Sequence, residues 1–147
     1  MMYKLPSKFT GINADRIEFN KFKTLCYSLQ GLGLFEVLDI SGYEYPKNYY
    51  CASVSDEQGK YHFYVNCFVY VGCFGEISEE SEVYLDKKEV ALATSRLEQS
   101  CVILPSETLY QQANFDNFDL LRRSELSETQ YWLPSTIGRL LFSWYFD

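Results

Sequence analysis

The chain has 147 residues, of which 47% are hydrophobic, and a formal net charge of −7. A chain of this length and composition can bury a core, which excludes intrinsic disorder and predicts one globular domain over residues 1–147. No stretch approaches the roughly 20 apolar residues of a membrane span, and no apolar run follows the N-terminus, so we predict a cytoplasmic protein that does not enter a membrane.

The negative charge is concentrated in the second half of the chain. Residues 1–75 hold seven basic and seven acidic side chains, whereas residues 76–147 hold six basic and thirteen acidic ones. Direct binding to nucleic acid needs a basic surface, so we predict none. An acidic surface instead attracts a basic protein and accelerates its association.

The chain begins with a predicted helix and strand. Residues 13–31 favour an amphipathic helix, because Asn13 can cap it and apolar residues recur at helical spacing until Gly31. Residues 34–43 are rich in residues that suit a strand.

A central hairpin is the clearest pattern in the sequence. Residues 49–55 and 61–74 are β-rich and flank the turn-like DEQGK, which predicts two antiparallel strands. Odd positions of the second strand form an apolar face that we expect in the core. Even positions, including Tyr64 and Tyr70, form a mixed face that is either covered by a helix or open to a partner.

Further helices are predicted in the second half. Asp86 has the spacing to cap a helix over residues 87–99, residues 100–104 read as a short strand, and Ser106 opens another short helix. The apolar tail from Ser135 favours a helix, with a terminal strand as the alternative, and we expect it to dock on the sheet. The predicted fold is α+β, with a mainly antiparallel sheet.

Sites for metals and catalysis are weakly supported. The five cysteines are scattered and odd in number, which favours reduced thiols, and one histidine without a close cysteine pair does not form a zinc site. The glutamates lack the spacing of a calcium loop. We therefore predict no metal, no cofactor and no enzyme, and keep a cysteine hydrolase built on Cys51 and His62 as a less favoured alternative.

An acidic stretch, GEISEESEVYLD over residues 75–86, is the main candidate for function. It admits a solvated loop, a cation site or a surface that meets a basic partner. Interfaces combine aromatic anchors with charged rims, so we favour the third interpretation. Its carboxylates are Glu76, Glu79, Glu80, Glu82 and Asp86. The candidate aromatic anchors are Tyr84, Tyr64 and Tyr70.

The tail STIGRLLFSWYFD resembles the ending of several groups of small bacterial immunity proteins, which neutralise polymorphic or contact-delivered growth-inhibition toxins. At Ser143 it departs from the family form, which has Asn. The matching positions are Ile137, Gly138, Leu141, Phe142, Trp144 and Asp147. The resemblance implies an α+β protein that binds a cognate toxin domain, often a nuclease, over its active site or a neighbouring surface. It assigns no binding residues, and we expect the tail to be structural.

These observations predict one-to-one inhibition of a toxin domain through the acidic stretch. The alternative within the binding class is a non-catalytic adaptor or scaffold subunit that uses the aromatic sheet face. The sequence leaves the oligomeric state open.

Overall fold

The computed structural model describes residues 2–97 and 101–146. In these ranges no helix combines the length and apolarity that crossing a membrane requires. In chain order the elements are α1 (Phe19–Gly31), β1 (Glu36–Ser41), β2 (Tyr49–Asp56), β3 (Gly59–Asn66), β4 (Val71–Ile77), β5 (Glu82–Leu85), α2 (Lys88–Ser95), β6 (Val102–Ile103), α3 (Ser106–Leu109), a 3₁₀ turn (Phe115–Phe118), α4 (Arg123–Tyr131) and α5 (Ile137–Leu141).

The strands form one sheet in the order β1-β2-β3-β4-β5, and every neighbouring pair on this path is antiparallel. The short β6 pairs in parallel with the beginning of β4. It lies on the same side of β4 as β5, which pairs with the later residues of β4. This arrangement confirms the predicted α+β class, the central hairpin, the N-terminal helix and the helices of the second half.

Both faces of the sheet are covered. One face packs against α1 and α2 and includes the odd positions of β3, which confirms the predicted core face as far as Asn66; its buried members include Tyr50, Val54, Tyr61, Phe63, Val65 and Phe74. Val69 and Val71, which the same prediction placed on this face, pack in the other layer. The other face lies under the N-terminal segment, α3 and α5; its buried members include Leu5, Phe9, Tyr49, Tyr64, Cys73, Leu140 and Phe142. The predicted docking of the tail on the sheet is thus confirmed, with a short helix at its start.

The predicted single strand over residues 61–74 is wrong. The Oδ1 atom of Asn66 accepts hydrogen bonds from the N–H groups of Phe68 at 2.9 Å and Val69 at 3.0 Å. These bonds turn the chain, so that β3 ends at Asn66 and a separate β4 begins at Val71. Tyr64 and Tyr70 consequently lie in different core layers and do not share a face.

The predicted start of the first helix is also wrong. Asn13 has a positive φ of 51°, and the Ile17 N–H donates to the Cys67 carbonyl at 2.7 Å. Because this bond holds the segment in an extended path beside the sheet, α1 begins only at Phe19. Its end at Gly31 agrees with the prediction.

Asp86 does not cap α2, contrary to the sequence prediction. Its carboxylate accepts from the N–H of Ser106 at 2.8 Å and from the Ser106 hydroxyl at 2.5 Å, at the beginning of α3. The helix predicted over residues 87–99 ends at Ser95, and the strand predicted over 100–104 is reduced to β6. Parts of both predictions fall on residues 98–100, outside the described residues.

Two buried asparagines connect the two ends of the chain to the sheet. Asn48 and Asn66 are fully buried, and both Nδ2 atoms donate to the same carbonyl, that of Phe9, at 3.0 Å. Asn48 Nδ2 also donates to the Leu140 carbonyl at 3.1 Å, and Asn66 Nδ2 to the Leu141 carbonyl at 2.8 Å. Buried amides that are satisfied in this way hold one specific arrangement of segments.

Replacing Asn66 with Ala should lower the free energy of unfolding by about 3 kcal/mol or more, because the amides of Phe68 and Val69 and the carbonyl of Leu141 lose a buried partner. Asn20→Ala, an exposed change on α1, should alter it by no more than about 0.5 kcal/mol. Urea denaturation of both variants tests the prediction, and equal stabilities would contradict it.

Candidate functional site

Three chain segments meet at one end of the sheet. β2 turns into β3 at residues 57–58, β4 turns into β5 at residues 78–81, and β1 begins where Glu36 pairs with Ser55 near the end of β2. Antiparallel pairing places all three at the same end. We call it the acidic end and define it by its exposed carboxylates, which are Glu36, Glu57, Glu76, Glu79 and Glu80.

A cleft of about 620 Å³ opens at the acidic end, between residues 33–36, 55–58 and 86–90. Its acidic side chains outnumber its two lysines. The acidic members are Glu36, Asp56, Glu57, Asp86 and Glu89. The cleft therefore presents a net negative surface to solvent.

One lysine of the cleft is neutralised internally. Lys87 Nζ lies 2.9 Å from Asp56 Oδ2, donates to Gln58 Oε1 at 2.7 Å and stands 4.5 Å from the ring centroid of Tyr61. Desolvation opposes ionisation of Asp56, but the hydrogen bonds from Lys87 and from the Gln58 amide hold the pKa of Asp56 below its ordinary value. Because Lys87 is paired with Asp56, only Lys88 among the residues that line the cleft offsets the negative charge of its other carboxylates.

Glu82 and Tyr84, two of the predicted site residues, form contacts within the fold. Glu82 Oε2 accepts from the Tyr84 hydroxyl at 2.5 Å and from the Thr136 hydroxyl at 2.8 Å, and lies 4.0 Å from Arg139 Nε. Tyr84 is only 5% exposed, and burial together with the Glu82 carboxylate raises the pKa of its hydroxyl. These contacts connect β5 to the beginning of α5.

The remaining predicted residues divide between surface and core. Glu79 and Glu80 are exposed in the β4–β5 turn, and Asp86 is exposed with both carboxylate oxygens bonded to Ser106. Tyr64 is 4% exposed, and its hydroxyl accepts the Ile77 N–H at 3.0 Å. Tyr70 is half-buried in the other layer, with Lys21 Nζ 4.8 Å from its ring centroid. A role for these residues in binding stays a prediction. Among the predicted residues, Glu79 and Glu80 are the ones whose carboxylates are exposed and not bonded to another described residue.

Sequence reasoning missed Glu36 and Glu57. Both lie in the half of the chain whose charges balance, so counting charges gave no reason to select them. The predicted hairpin could have indicated Glu57, because its turn contains this residue. Antiparallel pairing brings that turn to the end of the sheet where the acidic stretch lies.

Cys51 and His62 come close in the sheet but do not form an activated pair. Cys51 pairs with Tyr64 and His62 with Ser53, so the two are diagonal neighbours on one face of β2 and β3. Desolvation raises the pKa of the Cys51 thiol to about 12, which keeps it protonated near neutral pH. His62 Nδ1 lies 3.8 Å from Glu76 Oε1.

Comparisons with protein-family models, with curated proteins and with solved structures find no significant match to this chain. The candidate site is therefore interpreted from the chemistry of its own side chains. Among the described residues, no group of three or more His, Cys, Asp or Glu is placed to hold a metal ion. The arrangement suits recognition of positive charge by exposed carboxylates.

The reactivity of Cys51 tests the alternative of a cysteine hydrolase. In a variant that retains only this cysteine, alkylation of the native protein near neutral pH should be at least about 100-fold slower than alkylation of a free thiol, whose pKa is near 8.5. The rate should rise with pH toward the raised pKa, and unfolding in denaturant should restore the ordinary rate. Rapid labelling of the native protein would contradict the prediction.

Gly138, a residue of the tail resemblance, contacts Tyr84 closely. A Cβ atom at this position would lie 2.1 Å from the Tyr84 hydroxyl oxygen and 2.4 Å from Cζ. The neighbouring tail residues Ile137, Leu141 and Phe142 are buried. These matched residues therefore hold α5 against the sheet, as expected of a structural tail.

Replacing Gly138 with Ala should lower the free energy of unfolding by about 2 kcal/mol, because the added methyl group displaces Tyr84 in a packed core. Gly31→Ala is the matched control: a Cβ there meets nothing within 4 Å, at the end of a helix. It should be neutral or stabilising by up to about 1 kcal/mol. Thermal and urea denaturation of both variants measure the difference in their free energies of unfolding. Equal values would mean that Tyr84 moves aside without cost, and would contradict the prediction.

Proposed function

We propose that this chain is an inhibitor of the immunity-protein kind, which binds a basic cognate toxin domain in the cytoplasm and covers its active site or an adjacent surface. The observation that carries the proposal is the acidic end. Four exposed carboxylates of this end form no ion pair with the described residues: Glu36, Glu57, Glu79 and Glu80. The fifth, Glu76, lies 3.8 Å from His62 Nδ1. Lys60 and Lys88 offset part of this charge.

The electrostatics of the acidic end suit a basic partner. A nuclease that holds phosphates needs a cationic active site, and oppositely charged surfaces steer two proteins together. Carboxylates that meet Arg or Lys form charge-assisted hydrogen bonds, which are stronger than neutral ones. Fast association is the property an inhibitor needs against a toxin that acts in the same compartment.

The two alternatives have less support. An adaptor that used the aromatic face of β3 would need that face open, but Tyr64 lies under α5 in the described part of the chain and Tyr70 packs in the other layer. A hydrolase would need an activated thiol, and Cys51 has a raised pKa. The charged end of the sheet, in contrast, is accessible.

The binding test uses the toxin domain itself. Because an antidote is expected to be encoded beside its toxin, the probe is the C-terminal domain of the product of the adjacent upstream reading frame, produced together with this chain. We expect a stable complex and rescue of growth. Replacing Glu76, Glu79 and Glu80 together with Gln should weaken binding at low salt by about tenfold or more, mainly through slower association, and flatten its salt dependence.

A matched control removes the same charge elsewhere. Asp15→Asn, Glu18→Gln and Glu128→Gln alter three exposed carboxylates outside the acidic end that form no ion pair with the described residues. This variant should bind like the parent chain. Equal loss in both variants would indicate an effect of net charge alone, and no loss in either would remove the acidic end from the interface. Absence of both toxicity and complex would overturn the proposed function.

A further inference from the structure

The outer edge of β1 is open. No other described segment forms a backbone pair with it. At the opposite side of the sheet, the Tyr84 N–H of β5 donates to the Tyr110 hydroxyl at 2.9 Å. On β1 the Val37 N–H donates to the side-chain Oε1 of Gln30 at 2.7 Å. A side-chain oxygen thus occupies the place that the carbonyl of an added strand would take.

The irregular middle of β1 adds apolar surface to this edge. The pairing with β2 shifts register between Val37 and Asp39, and the intervening Leu38 is 45% exposed. An exposed leucine beside free backbone groups is a feature that an added strand can cover.

The charged residues of β1 itself are all acidic. Glu36 and Asp39 are its charged residues, both are exposed, and neither forms an ion pair with the described residues. Residues 33–46 contain no Lys or Arg. Glu36 also lines the cleft of the acidic end, so the edge and the cleft form one continuous negative surface.

This charge pattern disfavours pairing between two copies of the chain. Two copies paired edge to edge along β1 would bring Glu36 and Asp39 of one copy close to the same carboxylates of the other. Like charges directly opposite each other destabilise a strand pair. A basic strand, in contrast, gains both the backbone bonds and the side-chain pairs.

We propose that a basic, extended segment of the toxin domain adds to the sheet as a strand along β1 and displaces Gln30 from the Val37 N–H. Its Arg or Lys side chains meet Glu36 and Asp39, and the segment continues toward the cleft. Backbone hydrogen bonds supply affinity in this mode, while the carboxylates select the partner. The inference rests on the proposed function and assigns it a binding mode.

A peptide probe tests the edge without the toxin. The probe is a short peptide that alternates Arg with Val, and its control replaces each Arg with Glu. Amide chemical shifts of the full chain, followed by NMR, should move at Val37 and Ile40 with the basic peptide only. No shift in β1 at millimolar peptide, or shifts confined to the turns of the acidic end, would overturn the proposal and leave the charges of β1 as protection against aggregation.

The complex with the toxin domain tests the same edge in its functional setting. The double variant Glu36→Lys, Asp39→Lys should bind at least about tenfold more weakly than the parent, and its control, Asp15→Lys with Glu18→Lys, should bind normally. Circular dichroism and denaturation midpoints establish that both variants are folded. In the parent complex, the β1 amides should exchange hydrogen more slowly than in the free chain.

The outcomes separate the two proposals. A complex that rescues growth but leaves β1 exchange unchanged and tolerates the double variant overturns the strand addition alone. Specific binding of the basic peptide to β1, without any complex with the toxin domain, supports the edge as a docking site and overturns the choice of toxin.

Discussion

The architecture depends on two buried amides that share one acceptor. Asn48 at the junction with β2 and Asn66 at the end of β3 both donate to the Phe9 carbonyl, and Asn48 Oδ1 accepts the Ser143 N–H at 2.7 Å. The layer over one face of the sheet is built from segments near both ends of the sequence. Without these bonds, the position of those segments over β2 and β3 would depend more heavily on apolar contacts, which carry little directional information.

The buried asparagines and the proposed recognition surface lie at different ends of the sheet. The asparagines lie where β2 begins and β3 ends, and the acidic end lies where β2 ends and β3 begins. Of the predicted site carboxylates, Glu82 and Asp86 are bonded within the chain, whereas Glu79 and Glu80 lie in a turn and have no hydrogen-bond partner among the described residues. Substitution of such exposed carboxylates can therefore change the surface charge with little effect on the core.

Local patterns predicted the elements better than their boundaries. The alternation in β2 and β3 and the apolar spacing of α1 indicated those elements, because burial on one face dictates residue type. The break at Asn66 was not predictable, since the apolar run continues past it and only the three-dimensional path shows which amides its side chain accepts. The sequence indicates only part of the candidate site. Glu79 and Glu80 stand out in sequence, but Glu36 and Glu57 join them only through strand pairing. The burial of Tyr84 depends on Gly138, which is distant in the chain.

The late position of α5 has a consequence for biosynthesis. All strands of the sheet leave the ribosome before Ile137, yet one face of that sheet is covered by α5 and the residues after it. A nascent chain therefore carries Tyr49, Tyr64 and Cys73 on an incompletely covered face until α5 has also left the ribosome. Chains stopped before α5 would leave part of this apolar face exposed, which is the kind of surface that chaperones and proteases recognise.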